Sequence, residues 1–335
     1  MKRMICFLLL TGLCIGLFTG CSQNGGAASS GSEQAQKVKI GIAQIMEHPS
    51  LNTIRESILA ELKVQGYEDG VNCTIEYKNA QSNQSNLAPI MQAFKNNNMD
   101  IIIAIATPTV AAAAPYAEDI PVVFAACENP VESGFTSTLE KPDKNITGTS
   151  DRIPVASIID MALTIKPDIK TLGLLYNKGE SNSASSIKTA KEYALSKNIE
   201  VVEATVTNTS EVQQAARVLA SKVDAIFSPT DNTVASAMPA VTAAATEAKV
   251  PVFVGADSMV NDGGLATIGI NYTVLGKETA QMAAEVLKGK DISEIPVKEY
   301  DQFKTYLNLK TAKDIGITIP ESILNGSDTE ILVQE

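Results

Sequence analysis

Val38-Lys39-Ile40-Gly41-Ile42-Ala43-Gln44 and Thr171-Leu172-Gly173-Leu174-Leu175-Tyr176-Asn177 open two stretches of chain built to the same plan. Each apolar run enters a polar loop, through Pro49 in the first and Ser183 in the second, and then a helical pattern at 51–65 or 185–197. A second strand follows at 72–77 or 200–204. A Ser/Thr-rich helix start comes next, at 85–87 or 209–211, where side-chain oxygens can cap exposed N–H groups. Third strands at 100–106 and 224–228 run into Thr/Pro turns and alanine-rich helices, and fourth strands fall at 121–124 and 251–254. Strands that are apolar throughout and alternate with helical patterns predict parallel sheets covered on both faces. The expected fold is therefore α/β, with two similar doubly wound parallel-sheet lobes and a ligand cleft between them. A single large α/β domain is the alternative, disfavoured because the elements match one for one in order.

Beyond the duplication the pattern predicts a strand at 266–271, a helix at 275–287, an extended segment at 295–309 and a short closing helix at 311–315. A tail shared by two lobes must cross between them more than once. The expected division is 37–150 plus about 272–298 for lobe 1, and 151–271 plus about 299–335 for lobe 2. Ligands in open α/β sheets bind beyond the carboxyl ends of strands, so the cleft is the natural small-molecule site.

The amino terminus reads as an address. Lys2 and Arg3 precede an apolar run at 4–18, then Thr19, Gly20 and Cys21. That is the order of an export signal, expected over residues 1–20. Leu17-Phe18-Thr19-Gly20-Cys21 resembles a bacterial lipobox with Phe18 in an aliphatic position, making Cys21 the expected lipid anchor. Residues 21–36 are rich in Ser, Gly, Ala and Gln, the composition of a flexible tether. Cys73 and Cys127 remain in the body and read as two small buried residues rather than a disulfide.

Of 335 residues 44% are hydrophobic and 19% charged, which excludes a mostly disordered or collagen-like chain. The net charge of −11 and the lack of a basic cluster argue against nucleic acid as a partner. One histidine and no CxxC, HExxH, GxSxG or Walker-type loop leave little material for a metal site, a cofactor or catalysis, so no enzyme, cofactor or metal is expected.

The stretches 40–52 (IGIAQIMEHPSLN), 107–111 (TPTVA), 121–134 (PVVFAACENPVESG), 145–151 (NITGTSD), 172–183 (LGLLYNKGESNS), 227–235 (FSPTDNTVA) and 251–264 (PVFVGADSMVNDGG) together carry a family resemblance. The sequence resembles bacterial ABC-transporter substrate-binding lipoproteins of the type I periplasmic-binding fold, within the subgroup that includes tryptophan- and tyrosine-binding proteins. The resemblance implies three crossovers, closure of the cleft around its ligand, and delivery to a membrane permease driven by a cytoplasmic ATPase. It also implies an extracytoplasmic monomer held to the membrane by its lipid.

The loops after the strands supply the candidate ligand contacts. Thr107 and Thr109 flank Pro108 at a helix start, where N–H groups and hydroxyls suit a carboxylate. Asp231, Asn232, Asp257 and Ser258 lie at the matching edge of the second lobe. Asp231 reads equally as a helix cap or as a partner for an ammonium group. Gln44, Glu47 and His48 face Asn177, Glu180, Asn182 and Ser183 across the two first-strand loops, the latter set overlapping a helix cap. Glu128, Asn129 and Asp151 sit near the first crossover. Phe124, Tyr176, Phe227 and Tyr272 are the candidate aromatic walls, each also compatible with a core strand. The expected ligand is an amino acid, aromatic by preference, its carboxylate at 107–109 and its ammonium on an acid among Asp231, Asp257 and Glu180. A sugar, a nucleoside or a role as the sensing subunit of a signalling system are the alternatives.

Overall fold

The computed structural model describes residues 37–334; the expected signal, anchor cysteine and tether lie outside the described residues. In chain order the first half is β1 (Val38–Gln44), α1 (Pro49–Val64), β2 (Cys73–Asn79), α2 (Leu87–Asn96), β3 (Ile101–Ile105), α3 (Thr107–Ala113), β4 (Val122–Ala125) and β5 (Ile146–Thr149). There follow α4 (Val155–Ile165), β6 (Thr171–Asn177), α5 (Ser181–Ser196), β7 (Glu200–Val206), α6 (Thr209–Ala220) and β8 (Ala225–Ser228). The rest is α7 (Asn232–Ser236), α8 (Met238–Glu247), β9 (Val252–Val254), α9 (Asp257–Asn261), β10 (Ala266–Gly269), α10 (Tyr272–Leu287), β11 (Lys304–Asn308), α11 (Leu309–Ile315), α12 (Glu321–Leu324) and β12 (Thr329–Val333).

Two sheets organise these elements. One has strand order β2-β1-β3-β4-β5, and the other β12-β11-β10-β9-β8-β6-β7. Read from its far edge, the second contains β7-β6-β8-β9-β10, the same winding as the first, so the duplicated sequence is a duplicated topology. Every ladder is parallel except β10–β11. Strands β3, β4, β8 and β9 are buried along their whole length, as expected of sheets covered on both faces.

The glycine in each opening strand shows why the two copies pack alike. A Cβ on Gly41 would lie 2.9 Å from the Phe94 ring on α2, and one on Gly173 would lie 2.9 Å from Leu219 on α6. Each glycine therefore lets the equivalent helix seat a large side chain directly on its central strand. Cys73 and Cys127 are both buried and both free.

After β10 the chain returns to the first half. Helix α10 lies against α1, where Gln281 Nε2 donates to Glu61 Oε1 (3.0 Å). Lys298 then pairs with Thr149 at the edge of β5 before the chain crosses back to β11. The connection is thus made three times, near Asp151, near Asn271 and beyond Lys298.

Some local expectations need correction. The cap of α6 is Asn208, whose side chain accepts from Ser210 N–H, and Asn83 plays the same part ahead of α2; the Ser/Thr residues follow the caps instead of forming them. Helix α5 begins at Ser181, so Asn182 and Ser183 lie in its first turn and not in a loop. The chain does not close on α11: α12 and β12 follow, and β12 adds a half-buried strand parallel to β11. Its apolar residues are only partly covered, so they left no strong pattern.

Candidate functional site

The carboxyl ends of both sheets meet around one narrow cavity lined by both halves of the chain. The β1–α1 loop contributes His48 and the first turn of α1 Ser50 and Leu51, while the residues just past β3 and β4 contribute Ala106, Thr107 and Ala126. The second half supplies Asn182, Thr230, Asp231, Asn232, Ala235, Ala256 and Met259. Two residues come from the crossovers, Asp151 from the first and Tyr272 from the second. The alanines, Leu51, Met259 and the Tyr272 ring make much of this wall apolar.

Several bonds hold the halves together across the cavity. His48 Nε2 lies 3.2 Å from Asn232 Oδ1, Ser50 Oγ 2.5 Å from Ser258 Oγ, and Ser186 Oγ donates to Glu128 Oε1 at 2.5 Å. At the rim Ser185 Oγ donates to Glu132 Oε2 at 2.8 Å. The cleft is closed.

Among the side chains that line the cavity, the polar atoms left without a partner are all acceptors. The Asn232 amide is oriented by its Nδ2, which donates to Glu180 Oε2 (2.6 Å), so its Oδ1 must accept from His48 Nε2–H. That fixes the tautomer and leaves His48 Nδ1 an acceptor; it is buried with no partner within the protein. Asp151 Oδ1 and Asn182 Oδ1 are likewise buried and unpartnered. Asn182 Nδ2 is committed to Thr230 O (2.9 Å), which fixes its Oδ1 as the spare atom. Three cavity-lining side chains thus offer acceptors with no donor. Just behind the wall, Thr109 Oγ1 and Glu128 Oε2 are also unpartnered.

Burial sets the charges. It pushes the Asp151 carboxyl up to about 6, against the opposing pull of backbone and Tyr272 hydrogen bonds. It pushes Glu128 up to about 8, the nearby Asp151 adding to the rise. His48 is pushed down to about 4 by burial and is neutral at pH 7. Asp231 rises to about 7 through burial and the neighbouring Glu180.

These shifts give a pH dependence. A carboxyl raised in the folded state contributes stability below its unfolded value that is lost as pH rises through the folded one. Between pH 6.5 and 8 His48 is neutral in the folded chain and loses only its last half proton in the unfolded one, a small opposing contribution, so Glu128 and Asp231 decide the sign. Stability without added ligand is expected to fall by about 2 kcal/mol or more between pH 6.5 and 8, one proton's worth for Glu128 alone. Urea melts at the two pH values measure this, and Glu128→Gln should flatten most of the difference; equal stability at both would contradict the assignment.

The structure sorts the residues expected from sequence. His48, Thr107, Asp151, Asn182, Asp231 and Asn232 line the cavity. Asp231 is nonetheless occupied: it accepts from Asn177 N–H (2.6 Å), Ser183 Oγ–H (2.6 Å) and Val234 N–H (2.8 Å). Glu180 accepts from the backbone N–H groups of Asn232 and Thr233 (both 3.0 Å) and from both their side chains, capping α7. The amide of Asn177 is also spent, on Thr233 Oγ1 and Gly179 N–H. Asp257, the first residue of α9, accepts from Ser258 N–H (2.7 Å) and lines a neighbouring groove, while Ser258 makes the bridge to Ser50. The open carboxylate oxygen at the cavity therefore belongs to Asp151, not to Asp231, Asp257 or Glu180.

Other expected residues stand further out. Gln44 is buried beneath α1, donating to Met46 O (2.6 Å). Glu47 is exposed, 3.7 Å from Arg55, and Asn129 is tied to Glu132 outside the cavity. Thr109 N–H already donates to Ala106 O (2.9 Å), which reduces the donors that the 107–109 turn offers an anion. Of the aromatic candidates only Tyr272 lines the cavity; Phe124 and Phe227 are core residues, and Tyr176 bonds Glu203 at the surface. Ser50, Leu51, Met259 and the four alanines were not anticipated: Ala106, Ala126 and Ala256 had only strand-end position as a signal, and Ser50, Leu51, Ala235 and Met259, within the helices that follow, had none. Among the described residues no group of three His, Cys, Asp or Glu side chains is placed to hold a metal.

Comparison with known proteins agrees with this geometry. The family model described as "ABC transporter substrate binding protein" matches residues 39–331. A curated "Tyrosine-binding protein" of Clostridioides difficile is 36% identical over 320 residues, 94% of this chain and 93% of that one. A solved Streptococcus pneumoniae structure in complex with L-Trp is 35% identical, with TM-score 0.84 over 88% of this chain and all of that one. The ligand-free, open form of a Clostridium difficile substrate-binding protein with adhesive properties is 36% identical but has TM-score 0.66, over 89% of this chain and all of that one. At near-equal identity the TM-score is higher against the L-Trp complex than against the ligand-free, open structure.

Proposed function

Because the chain belongs to the ABC transporter substrate-binding protein family and is thereby an extracytoplasmic ligand carrier, we propose that its cleft captures an α-amino acid with an aromatic side chain for delivery to a permease. The observation that carries this reading is the trio of unpartnered acceptors in the closed cavity, His48 Nδ1, Asp151 Oδ1 and Asn182 Oδ1. An ammonium group has three N–H donors and a positive charge, the complement of that set. Its charge also offsets the cost of burying Asp151 ionised. Thr107, beside the unpartnered Thr109 hydroxyl, is the proposed carboxylate side, with the Tyr272 ring and the alanine wall enclosing the side chain. The L-Trp complex and the tyrosine-binding relative support an aromatic ligand.

Residues 37–150 with 272–298 would move as one body against 151–271 with 299–335, closing on a ligand that touches both. A monomer anchored through a lipid on Cys21 and paired with a permease and an ATPase completes the proposal. Among the described residues no helix is long and apolar enough to cross a membrane. Cys21→Ser should release the protein from the membrane fraction; retention there would refute the anchor.

The test is to purify the protein natively, unfold it, and identify released small molecules by mass spectrometry. The chain contains no tryptophan, so bound tryptophan would also register as excess ultraviolet absorbance. Stoichiometric tyrosine, tryptophan or phenylalanine is the expected result; a sugar or nucleoside would overturn the ligand assignment.

A further inference from the structure

Ala106 and Ala126 end the neighbouring strands β3 and β4, both line the cavity, and both hold backbone conformations that alanine avoids. Ala106 has φ +74° and ψ 149°, in a region occupied almost only by glycine, and Ala126 has φ +57°. Elsewhere among the described residues left-handed φ falls at Asn98, Asn145 and Asn198, a type that tolerates it, and at Gln81, Ser82 and Lys249, none of which lines this cavity. The second half solves the equivalent strand end without strain: Ala256, the counterpart of Ala126, has φ −139°.

The surroundings hold Ala106 in place. Its N–H donates to Ala125 O (2.9 Å), and its carbonyl accepts from Thr109 N–H (2.9 Å) and Val110 N–H (3.2 Å). Strand pairing on one side and the start of α3 on the other thus impose the conformation. Glycine would adopt both conformations freely. All that alanine adds is a methyl group, and at both positions the residue forms part of the cavity wall.

Resting on the aromatic amino-acid reading above, we propose that Ala106 and Ala126 are specificity-determining residues, whose methyl groups set the size of ring the closed cleft accepts, at the expense of backbone strain. A methyl withdrawn from a ring in contact with it weakens binding roughly 4-fold, and most for a ring too small to reach the new wall. Relief of a glycine-only conformation acts in the opposite direction, on the stability of the protein itself.

The experiment compares the full-length protein with Ala106→Gly, Ala126→Gly and the double variant. Each is stripped of ligand by unfolding and refolding, then melted, then titrated with L-phenylalanine, L-tyrosine and L-tryptophan. The expected result is a melting temperature about 2 °C or more above wild type, a roughly 4-fold loss of L-phenylalanine affinity per substitution, and a shift of preference towards L-tryptophan. A lower melting temperature would overturn the proposal, because the methyls would then be core packing. Equal change, or none, for all three amino acids would overturn it as well. Wild type that binds none of the three refutes the aromatic reading itself, an outcome distinct from normal wild-type binding with an unchanged preference in the variants.

Discussion

Asp151→Asn is expected to weaken binding of L-tyrosine and L-tryptophan by roughly 10²–10³-fold, equivalent to about 3–4 kcal/mol, the usual cost of removing one member of a buried charge pair. Asp151 is 7% exposed, sits where the chain first crosses between the lobes, and keeps Oδ1 free of any protein donor. Asparagine keeps the shape and removes the charge that the ammonium meets. The unliganded protein should respond in the opposite sense. Burial holds the Asp151 carboxyl near 6, well above its ordinary value, so its ionised form opposes folding at neutral pH. Asp151→Asn should therefore be at least as stable as wild type at pH 8 in the absence of ligand, the common trade of stability for function. Calorimetric titration and urea melts on the same preparation read both effects. Glu47→Ala, at an exposed carboxylate outside the cavity, should change affinity less than 2-fold. A variant at Asp151 that binds as tightly as wild type would remove the acid from the site.

The second large effect lies where α10, one turn beyond Tyr272, packs against α1. Gly276→Leu is expected to destabilise the protein by about 3 kcal/mol or more. A Cβ on Gly276 would stand 2.6 Å from Ile54 O and 2.7 Å from Ser57 Cβ, so helix α10 lies against α1 at a spacing only glycine permits. The clash is with backbone, which cannot rotate away, and larger side chains must push the two helices apart. That would also strain the bonds of Gln281 to Glu61 and of Lys288 to Gln65 along the same face. Because α10 is the element that returns from β10 to the first half, the loss should fall on the whole cooperative unit. Denaturant melts measure it; a midpoint within error of wild type would show that the helices can separate without cost.

The sequence carried the architecture because the architecture is repeated. Ile40-Gly41-Ile42 and Leu172-Gly173-Leu174 are strand signals by themselves, but their equivalent successors are what distinguish two lobes from one sheet. Where the repeat ends, so does legibility: β12 is half-buried, and its pattern gives no strong alternation. The cavity was legible only to the level of loops. Asp151, Asp231 and Asp257 are all acids near strand ends, and nothing local separates them. Asp231 is taken by Asn177 N–H and Ser183, which are 54 and 48 residues away, while the oxygen of Asp151 stays open. That difference is made by tertiary packing. Alanines 106 and 126 were invisible for another reason, since a methyl group has no chemistry to notice until its backbone angles are known.

The most direct measurement is calorimetric titration of the refolded protein with L-tyrosine and with 3-(4-hydroxyphenyl)propionate, which differs only in lacking the amino group. The acceptors at His48, Asp151 and Asn182 predict one L-tyrosine bound per chain and at least 100-fold weaker binding of the acid without its ammonium. Equal affinity for the two would contradict the account, because the cleft would then be reading the ring and the carboxylate and nothing of the charge that Asp151 is placed to meet.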